Sequence, residues 1–284
     1  MANFNIKSID IASTTVVGTA ISAVIAIILS VIFFVMTGIS GGFGVASQML
    51  VLVCFMIFGT IILSVYHIFA KTFLYNTLVT KLESIQISLF ENKEIKKISV
   101  KSTSIMLTVI DTIMFIVYYL VGMFLLQVLF SVLYTIILML TGNMILAYLL
   151  YNIIALMTDP LYIIVFIVLF AVVSIIKNLI YTFSYNLITE KVYGVLLKLS
   201  KDGDMTVIDS VNPINTGLVL GIVGLIFGII TGIIGLFATF NFVNFITSLI
   251  GGFVGTFICV VIVCYLYNVL APKLGKIKVE LTEV

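Results

Sequence analysis

Long apolar runs alternate along this chain with short segments in which apolar and polar residues take turns. The apolar runs predict three pairs of helices, at 14–37 and 48–80, 103–127 and 160–189, and 213–237 and 251–272. Several of them exceed the roughly 20 residues that cross ~30 Å of hydrocarbon. The alternating segments predict half-buried strands, because successive side chains of a strand point to opposite faces. The pattern therefore predicts a membrane protein that is mainly α-helical.

The best-defined repeat in the chain begins with the pair Tyr-Asn. Each of its three copies has a lysine six residues after the tyrosine, followed by alternating apolar residues. The motif residues are Tyr75, Asn76, Lys81, Tyr185, Asn186, Lys191, Tyr267, Asn268 and Lys273. The alternation after each lysine predicts a strand that follows the second helix of each pair.

A weaker pattern precedes the first helix of each pair. It reads IDIAST from Ile9, ISVKST from Ile98 and IDSVNP from Ile208, and it predicts a short strand that ends where a helix begins. Side chains of Ser, Thr and Asn accept hydrogen bonds from the free N–H groups of the first helical turn. The expected N-caps are Ser13 or Thr14, Ser102 or Thr103, and Asn212 ahead of Pro213.

These two patterns occur three times in the same order and predict three tandem units, 1–93, 94–204 and 205–284. Each unit is predicted as strand, transmembrane helix, transmembrane helix, strand. Strands this short are not stable alone, so we expect the first and last strand of each unit to pair within a small six-stranded sheet or barrel. The six main helices are expected to surround a pseudo-threefold axis.

The second unit contains an additional apolar stretch at 128–157. It is too short for two full crossings, and one extra crossing would turn the third unit over in the membrane. We therefore expect a partial hairpin there, either re-entrant or lying at the membrane surface.

The basic residues indicate an orientation. All 14 are lysines, and most lie in or beside the predicted strands, whereas the loops inside the helix pairs contain none. By the positive-inside rule, the strands and both chain termini are expected on the cytoplasmic side of the cell membrane. All three units then point the same way, as parallel repeats around an axis along the membrane normal.

Composition supports the membrane assignment and narrows the chemistry. The chain is 62% hydrophobic and only 9% charged, whereas soluble domains carry roughly a quarter charged residues. Three cysteines in apolar runs, without a second Cys or a His at ligand spacing, predict neither a disulfide framework nor a zinc site. Because phosphate-loop, serine-hydrolase and metalloprotease motifs are missing too, we predict that the protein is not an enzyme. We expect no cofactor, no metal site and no nucleic-acid partner.

A few charged residues lie inside the apolar runs, where each costs about 2.5–3.5 kcal/mol near the bilayer centre. Asp111 and Lys177 are expected at similar depth in an antiparallel helix pair and predict an ion pair. His67 and Lys71 share a helix face with Tyr75, being four residues apart. Two interpretations follow for Asp111, Lys177, His67 and Lys71. They form a polar, proton-linked site, or they form an internal ion pair with His67 and Lys71 reaching the cytoplasmic interface.

Glycines are regularly spaced in the third unit. They comprise Gly217, Gly221, Gly224, Gly228 and Gly232 on its first helix, with Gly251 and Gly255 on its second. Small residues at this spacing let helix backbones approach closely. The glycines therefore predict helix packing, with a flexible gate as the alternative.

The end of the third Tyr-Asn copy, with Tyr267, Asn268, Gly275, Ile277, Val279 and Leu281, resembles a small uncharacterised transmembrane-domain family. That family is mainly actinobacterial and usually has a single strand, helical hairpin and strand. The resemblance implies that this chain contains three such units in tandem, and it implies no enzymatic activity.

For function, the sequence favours a non-enzymatic membrane scaffold or adaptor, because its repeated polar residues lie in the strand regions. A cytoplasmic protein partner would dock on those strands. The alternative is a channel or transporter with a polar pathway near His67, Asp111 and Lys177. The lysines around the strands also predict binding of anionic lipid from the bilayer.

Overall fold

A computed structural model describes residues 1–91, 93–141, 144–145, 148–149, 151–152, 155 and 159–284. In chain order, the elements are β1 (Ala2–Ile9), α1 (Ile11–Gln48), α2 (Leu50–Leu78), β2 (Gln86–Phe90), β3 (Glu94–Ile98), α3 (Val100–Thr141), α4 (Pro160–Lys191), β4 (Val195–Asp202), β5 (Met205–Val211), α5 (Pro213–Thr239), α6 (Phe242–Ile250), α7 (Thr256–Leu274) and β6 (Lys278–Glu283). A π-helical turn, Gly251–Gly255, joins α6 to α7.

The described part of the chain contains six helical segments that are long and apolar enough to cross a membrane. They are Ile11–Gly42, Leu50–Leu78, Val100–Met123, Leu161–Lys191, Pro213–Thr239 and Phe242–Leu274. Large apolar side chains lie exposed along them, for example Phe58, Ile62 and Val173. An exposed apolar surface of this length fits a bilayer, which solvates it, and not water. The prediction of a mainly helical, multi-pass membrane protein with six main apolar helices is confirmed at this level.

Six strands of the described chain close into an antiparallel barrel in the order β1-β2-β3-β4-β5-β6. The expected strand pairs occur: β1 with β2, β3 with β4, and β5 with β6. The last strand then returns to the first, with Leu281 opposite Ile6. Of the two predicted arrangements, the barrel is therefore correct. Closure provides backbone partners on both sides of strands that have only five to eight residues.

Two compact units make up the chain. The first consists of Met1–Met106 and Ile180–Val284 and contains the barrel, and the second is Leu107–Leu179, with the adjoining parts of α3 and α4. The predicted tandem boundaries at 1–93, 94–204 and 205–284 stay a prediction. Within the first unit, Val17, Ile21, Tyr267 and Ala271 form one buried cluster, and a second contains Tyr185, Ile188, Val219 and Val223.

Helix boundaries differ from the prediction in three places. α1 extends to Gln48, beyond the expected end at 37, although Gly42 with φ 77° interrupts its helical backbone. α3 continues to Thr141, beyond the expected end at 127. The remainder of the partial hairpin predicted at 128–157 lies largely outside the described residues. In the third helix pair, the sequence predicted that the second helix starts at 251. Instead, α6 begins at Phe242 and continues through the π-helical turn into α7.

The helix caps are partly as predicted. Asn212 caps α5, with the Asn215 N–H donating to Asn212 Oδ1 at 3.1 Å and Pro213 in the first turn. The cap of α1 is Asp10, and not Ser13 or Thr14, because the Ser13 N–H donates to Asp10 Oδ2 at 2.7 Å. Hydrogen bonds from the Ser13 side chain and backbone lower the pKa of Asp10.

The predicted N-caps of α3, Ser102 or Thr103, are also wrong. α3 starts at Val100, so Ser102 and Thr103 lie inside its first turn and do not precede it. Asp, Ser and Thr all cap helices, and several of them stand next to one another at both starts. When several adjacent residues can all serve as the N-cap, the sequence does not determine at which of them the helix begins. The position of the preceding strand determines it.

Glycines on α5 contact the following helix, as the sequence predicted for helix packing. A Cβ atom at Gly224 would lie 2.3 Å from the carbonyl oxygen of Gly252, and one at Gly228 would lie 2.5 Å from that of Ser248. The partner glycine is thus Gly252. Cβ atoms at Gly251 and Gly255, which the sequence predicted for this role, would meet no other described atom within 4 Å.

Candidate functional site

The Tyr-Asn pair at the end of α2 binds the backbone of β1. Tyr75 Oη donates to the carbonyl oxygen of Ile6 at 2.7 Å. The side-chain amide of Asn76 donates to the carbonyl oxygen of Ile9 at 2.8 Å and accepts from the N–H of the same residue at 2.9 Å. An Asn amide carries both donors and an acceptor, so one side chain satisfies both backbone groups at the end of the strand.

The other two Tyr-Asn pairs make the same three hydrogen bonds. They are Tyr185 Oη to Ile95 O at 2.7 Å, Asn186 with Ile98 at 2.7 and 2.8 Å, Tyr267 Oη to Ile208 O at 2.5 Å, and Asn268 with Val211 at 2.7 and 2.9 Å. In each strand the two bonded residues are three positions apart. We call each set of three bonds a Tyr-Asn clamp. The clamps use the repeated polar residues to hold helices to strands.

The motif lysines behave differently from the tyrosines and asparagines. Lys81, Lys191 and Lys273 are exposed, and each lies within three residues of the end of its helix. No side-chain ion pair or hydrogen bond joins any of the three to another described residue. Three repeated cations are therefore available to groups outside the chain.

A polar cluster lies inside the apolar spans of α3 and α4, within the compact unit Leu107–Leu179. Lys177 Nζ lies 2.9 Å from Asp111 Oδ2, and Ser174 Oγ donates to the same carboxylate oxygen at 3.3 Å. The structure thus joins the two charged residues that the sequence placed at similar depth. The carboxylate side chain is 13% exposed and the lysine side chain 51%, so the negative group is largely covered and the positive one reaches the surface of the helix pair.

Three members of this cluster escaped the sequence analysis. Asn178 Nδ2 donates to Thr108 Oγ1 at 3.2 Å and to Ser174 Oγ at 3.4 Å, and all three residues are buried. Their spacing could have indicated two of them, because Thr108 precedes Asp111 by three residues and Ser174 precedes Lys177 by three. Residues three or four apart share a helix face. The cluster offers a charged pair with amide and hydroxyl support.

The other two residues of the predicted polar site belong to the first compact unit. His67 and Lys71 lie on α2, four residues apart, on the helix that ends in the first Tyr-Asn clamp. Each has an interaction partner in the protein. The described residues include no group of three or more His, Cys, Asp or Glu side chains that could hold a metal ion.

The barrel has an open cavity at the end where β1 begins and β6 ends. Its volume is about 540 Å³. The apolar lining residues are Phe4, Leu89, Leu199 and Leu281, and the polar ones are Ser200, Lys201, Thr206 and Glu283. We call this cavity the barrel mouth. It combines an apolar floor with opposite charges, Lys201 and Glu283, which is the composition of a small binding site.

Two ion pairs connect the start of β6 and the residues before it to β4 and β5. Lys276 Nζ lies 2.5 Å from Asp209 Oδ1, and Lys278 Nζ lies 2.7 Å from Asp202 Oδ2. A hydrogen bond from Lys276, supported by one from Ser200, lowers the pKa of Asp209. The hydrogen bond between Lys278 and Asp202 lowers the pKa of the acid and raises that of the lysine. An acidic side chain of the same chain thus balances the positive charge of each of these lysines.

No protein-family model, curated protein or solved structure matches this chain. The resemblance of the segment around Tyr267 to a small transmembrane-domain family therefore stays a prediction. Functional inference rests on the clamps, the polar cluster and the barrel mouth.

Proposed function

We propose that this protein is a non-enzymatic membrane scaffold in which six helices anchor a barrel that docks a cytoplasmic protein partner. The barrel mouth carries the proposal, since it is a concave site of about 540 Å³ with an apolar floor and a charged rim. Its shape and chemistry suit an apolar side chain of a partner flanked by polar backbone.

The proposed architecture is three parallel tandem units around a pseudo-threefold axis, with strands and both termini in the cytoplasm. The three Tyr-Asn clamps support it, because the same three bonds recur with the same spacing. The distribution of lysines supports the orientation. A reporter fused after Val284 that folds only in the cytoplasm should be active, and an inactive one contradicts the orientation.

Closure of the barrel determines how a partner would bind. Every described strand already has two neighbours, so a partner strand would find no free edge on them to extend the sheet. Binding in the mouth requires no such edge. We therefore expect recognition through side chains at the rim, chiefly Lys201 and Glu283, and through an apolar anchor on the floor.

The test is site-specific photo-crosslinking in intact cells, with a photoreactive residue at Leu199 in the mouth or at the adjacent Lys198, which lies on the opposite face of β4. We expect one discrete protein adduct from position 199 and none from position 198. The substitution Thr206→Lys, which fills the mouth, should abolish the adduct. The control Asp204→Asn changes the net charge equally in the adjacent turn and should preserve it. Equal adducts from both positions, or an adduct that survives Thr206→Lys, would show that the mouth docks nothing.

A second candidate function is transport, and the polar cluster of α3 and α4 favours it. Asp111, Lys177 and their supporting hydroxyl and amide groups lie in spans that are otherwise apolar. Ionisable residues within a membrane frequently mark ion or proton pathways. Proton flux into liposomes that contain the purified protein tests this function. Flux that is present in the wild type and lost in Asp111→Asn supports it, and a wild-type signal equal to empty liposomes removes it.

A further inference from the structure

The end of the second helix of each pair carries an exposed stripe, which finishes at or just beyond the helix in a lysine that has no ion pair with another described residue. An aromatic residue lies eight positions before the lysine, and a third exposed residue lies midway between them. The three stripes are Phe73, Thr77 and Lys81; Phe183, Leu187 and Lys191; and Tyr265, Val269 and Lys273. The aromatic side chains are 49%, 60% and 62% exposed, respectively. In the two stripes that lie wholly on a helix, ending at Lys191 and Lys273, eight residues span about 12 Å, which is the distance from a lipid headgroup into the upper acyl chains. Lys81 lies three residues beyond the end of α2.

We propose that each stripe binds one anionic phospholipid, with the lysine on the headgroup phosphate and the aromatic ring against an acyl chain. Each lysine lies at the end of a long apolar helix, where the chain passes from the hydrocarbon to the interface. A juxtamembrane lysine attracts anionic lipid. The occupant is a lipid and not a soluble anion, because the apolar part of each stripe would otherwise stay without a partner.

Among the described residues, none of the stripe lysines has an acidic partner, whereas Lys96, Lys276 and Lys278 pair with Glu94, Asp209 and Asp202. Other exposed lysines, such as Lys93 and Lys198, also have no ion pair with a described residue. An unpaired lysine alone therefore does not define a lipid site. The stripes differ from those barrel lysines because an exposed aromatic residue and a third exposed residue precede the lysine on an apolar helix.

The three sites differ in local charge and should differ in affinity. Glu190 directly precedes Lys191, and Glu83 lies two residues after Lys81, where it pairs with Lys101 at 3.2 Å. No acidic residue lies within four positions of Lys273. Since a neighbouring carboxylate repels a phosphate, the Lys273 stripe should bind anionic lipid most tightly.

Native mass spectrometry of the full chain in detergent, titrated with phosphatidylglycerol or phosphatidylcholine, tests the proposal. We expect up to about three phosphatidylglycerol molecules to be retained, and weaker retention of phosphatidylcholine. The triple variant K81Q/K191Q/K273Q should bind phosphatidylglycerol about fivefold more weakly at each site. The control K93Q/K97Q/K198Q removes the same charge from exposed barrel lysines outside the mouth and should bind as the wild type does. Equal losses in both triple variants would overturn the proposal, because bulk charge would then explain the binding.

Two further measurements keep the test independent of how the variants fold. A photoreactive phosphatidylglycerol should label wild-type peptides that contain residues 73–81, 183–191 and 265–273, most strongly the last. Labelling spread evenly over all helices would contradict specific sites. Glycerophosphate, which has the headgroup chemistry without acyl chains, should not displace the lipid at tenfold excess. Displacement would show that the aromatic part of the stripe contributes nothing.

Discussion

Two helix pairs of this protein hold together by different means. α5 packs on α6 and α7 through glycines, so closely that a Cβ atom at Gly224 would lie 2.3 Å from the carbonyl oxygen of Gly252. In the α3 and α4 pair, the bond between Asp111 and Lys177 and the stacked rings of Phe115 and Phe170, 4.1 Å apart, provide the contacts.

Both means of association suit helices that lie in a bilayer. Between helices in a bilayer the hydrophobic effect contributes little, because lipid chains are as apolar as the side chains. Association then depends on close van der Waals packing or on polar and aromatic contacts. One pair uses the first means and the other uses the second. The two pairs should therefore respond to different substitutions.

The largest effect should come from filling the glycine contact. Gly224→Val places a branched side chain against the backbone of Gly252, which has no side chain that could move aside. We expect a loss of about 3 kcal/mol in stability, measured as thermal stability in detergent micelles.

Gly255→Ala is the matched control for the glycine contact. A Cβ atom there meets no other described atom within 4 Å, and alanine favours helix more than glycine does. Its stability should equal or slightly exceed that of the wild type. If Gly224→Val were as stable as Gly255→Ala, close backbone packing would not hold this pair.

A second, smaller effect should be common to both pairs, because each ends in a Tyr-Asn clamp. Asn186→Leu and Asn268→Leu each leave a strand N–H and carbonyl without their partner, and each should cost about 2 kcal/mol. Tyr185→Phe and Tyr267→Phe remove one hydrogen bond and should cost about half as much. Thermal stability of the four variants checks this, and a clamp that costs nothing in one pair would contradict equivalent roles.

Removing charge should act on the α3 and α4 pair alone. Asp111→Asn leaves the ammonium of Lys177 without its counter-ion, and we expect a loss of about 1–2 kcal/mol. The double variant D111N/K177Q should recover part of that loss, because neither charge remains. A double-mutant cycle on thermal stability measures the coupling. Additive single effects would mean that the 2.9 Å contact contributes no stability.

The smallest effect should come from ion pairs in water on the barrel. The pKa of Asp209 is lowered in the folded chain, so its contribution is present above the unfolded pKa of about 3.9 and is lost as the pH falls through the lower, folded value. Stability should therefore decrease below about pH 4 by at most about 1 kcal/mol for this group.

Asp209→Asn should remove that share of the acid dependence and lower stability slightly at pH 7. Thermal stability between pH 6 and pH 3, at low and high salt, measures it. High salt should reduce the difference at pH 7, because ions screen exposed charges. An acid dependence that is identical in the variant would assign the effect to other carboxylates.

Several features of the fold could be read from the chain alone. Apolar runs predicted the six long helices, and alternation after Lys81, Lys191 and Lys273 predicted three of the six strands. The expected depth of Asp111 and Lys177 predicted their contact. Each of these features depends on local composition and on spacing along one element, which neighbouring residues determine.

Other features depended on how elements meet. Barrel closure requires β6 to return to β1 with a particular register, and the mouth draws residues from β1, β2, β4, β5 and β6. Thr108, Ser174 and Asn178 joined the polar cluster only once the facing sides of α3 and α4 were known. Gly252 replaced Gly251 and Gly255 because the rotation of a helix about its axis decides which residue faces its neighbour, and the π-helical turn alters that rotation.

The sequence by itself thus determined which segments form helices long and apolar enough to cross a membrane and which form strands, because hydropathy and period are properties of consecutive residues. Only the tertiary structure decided which faces touch, which of several adjacent capping residues begins a helix, and whether the strands close. Those outcomes depend on register and rotation, which many weak contacts between distant segments settle together.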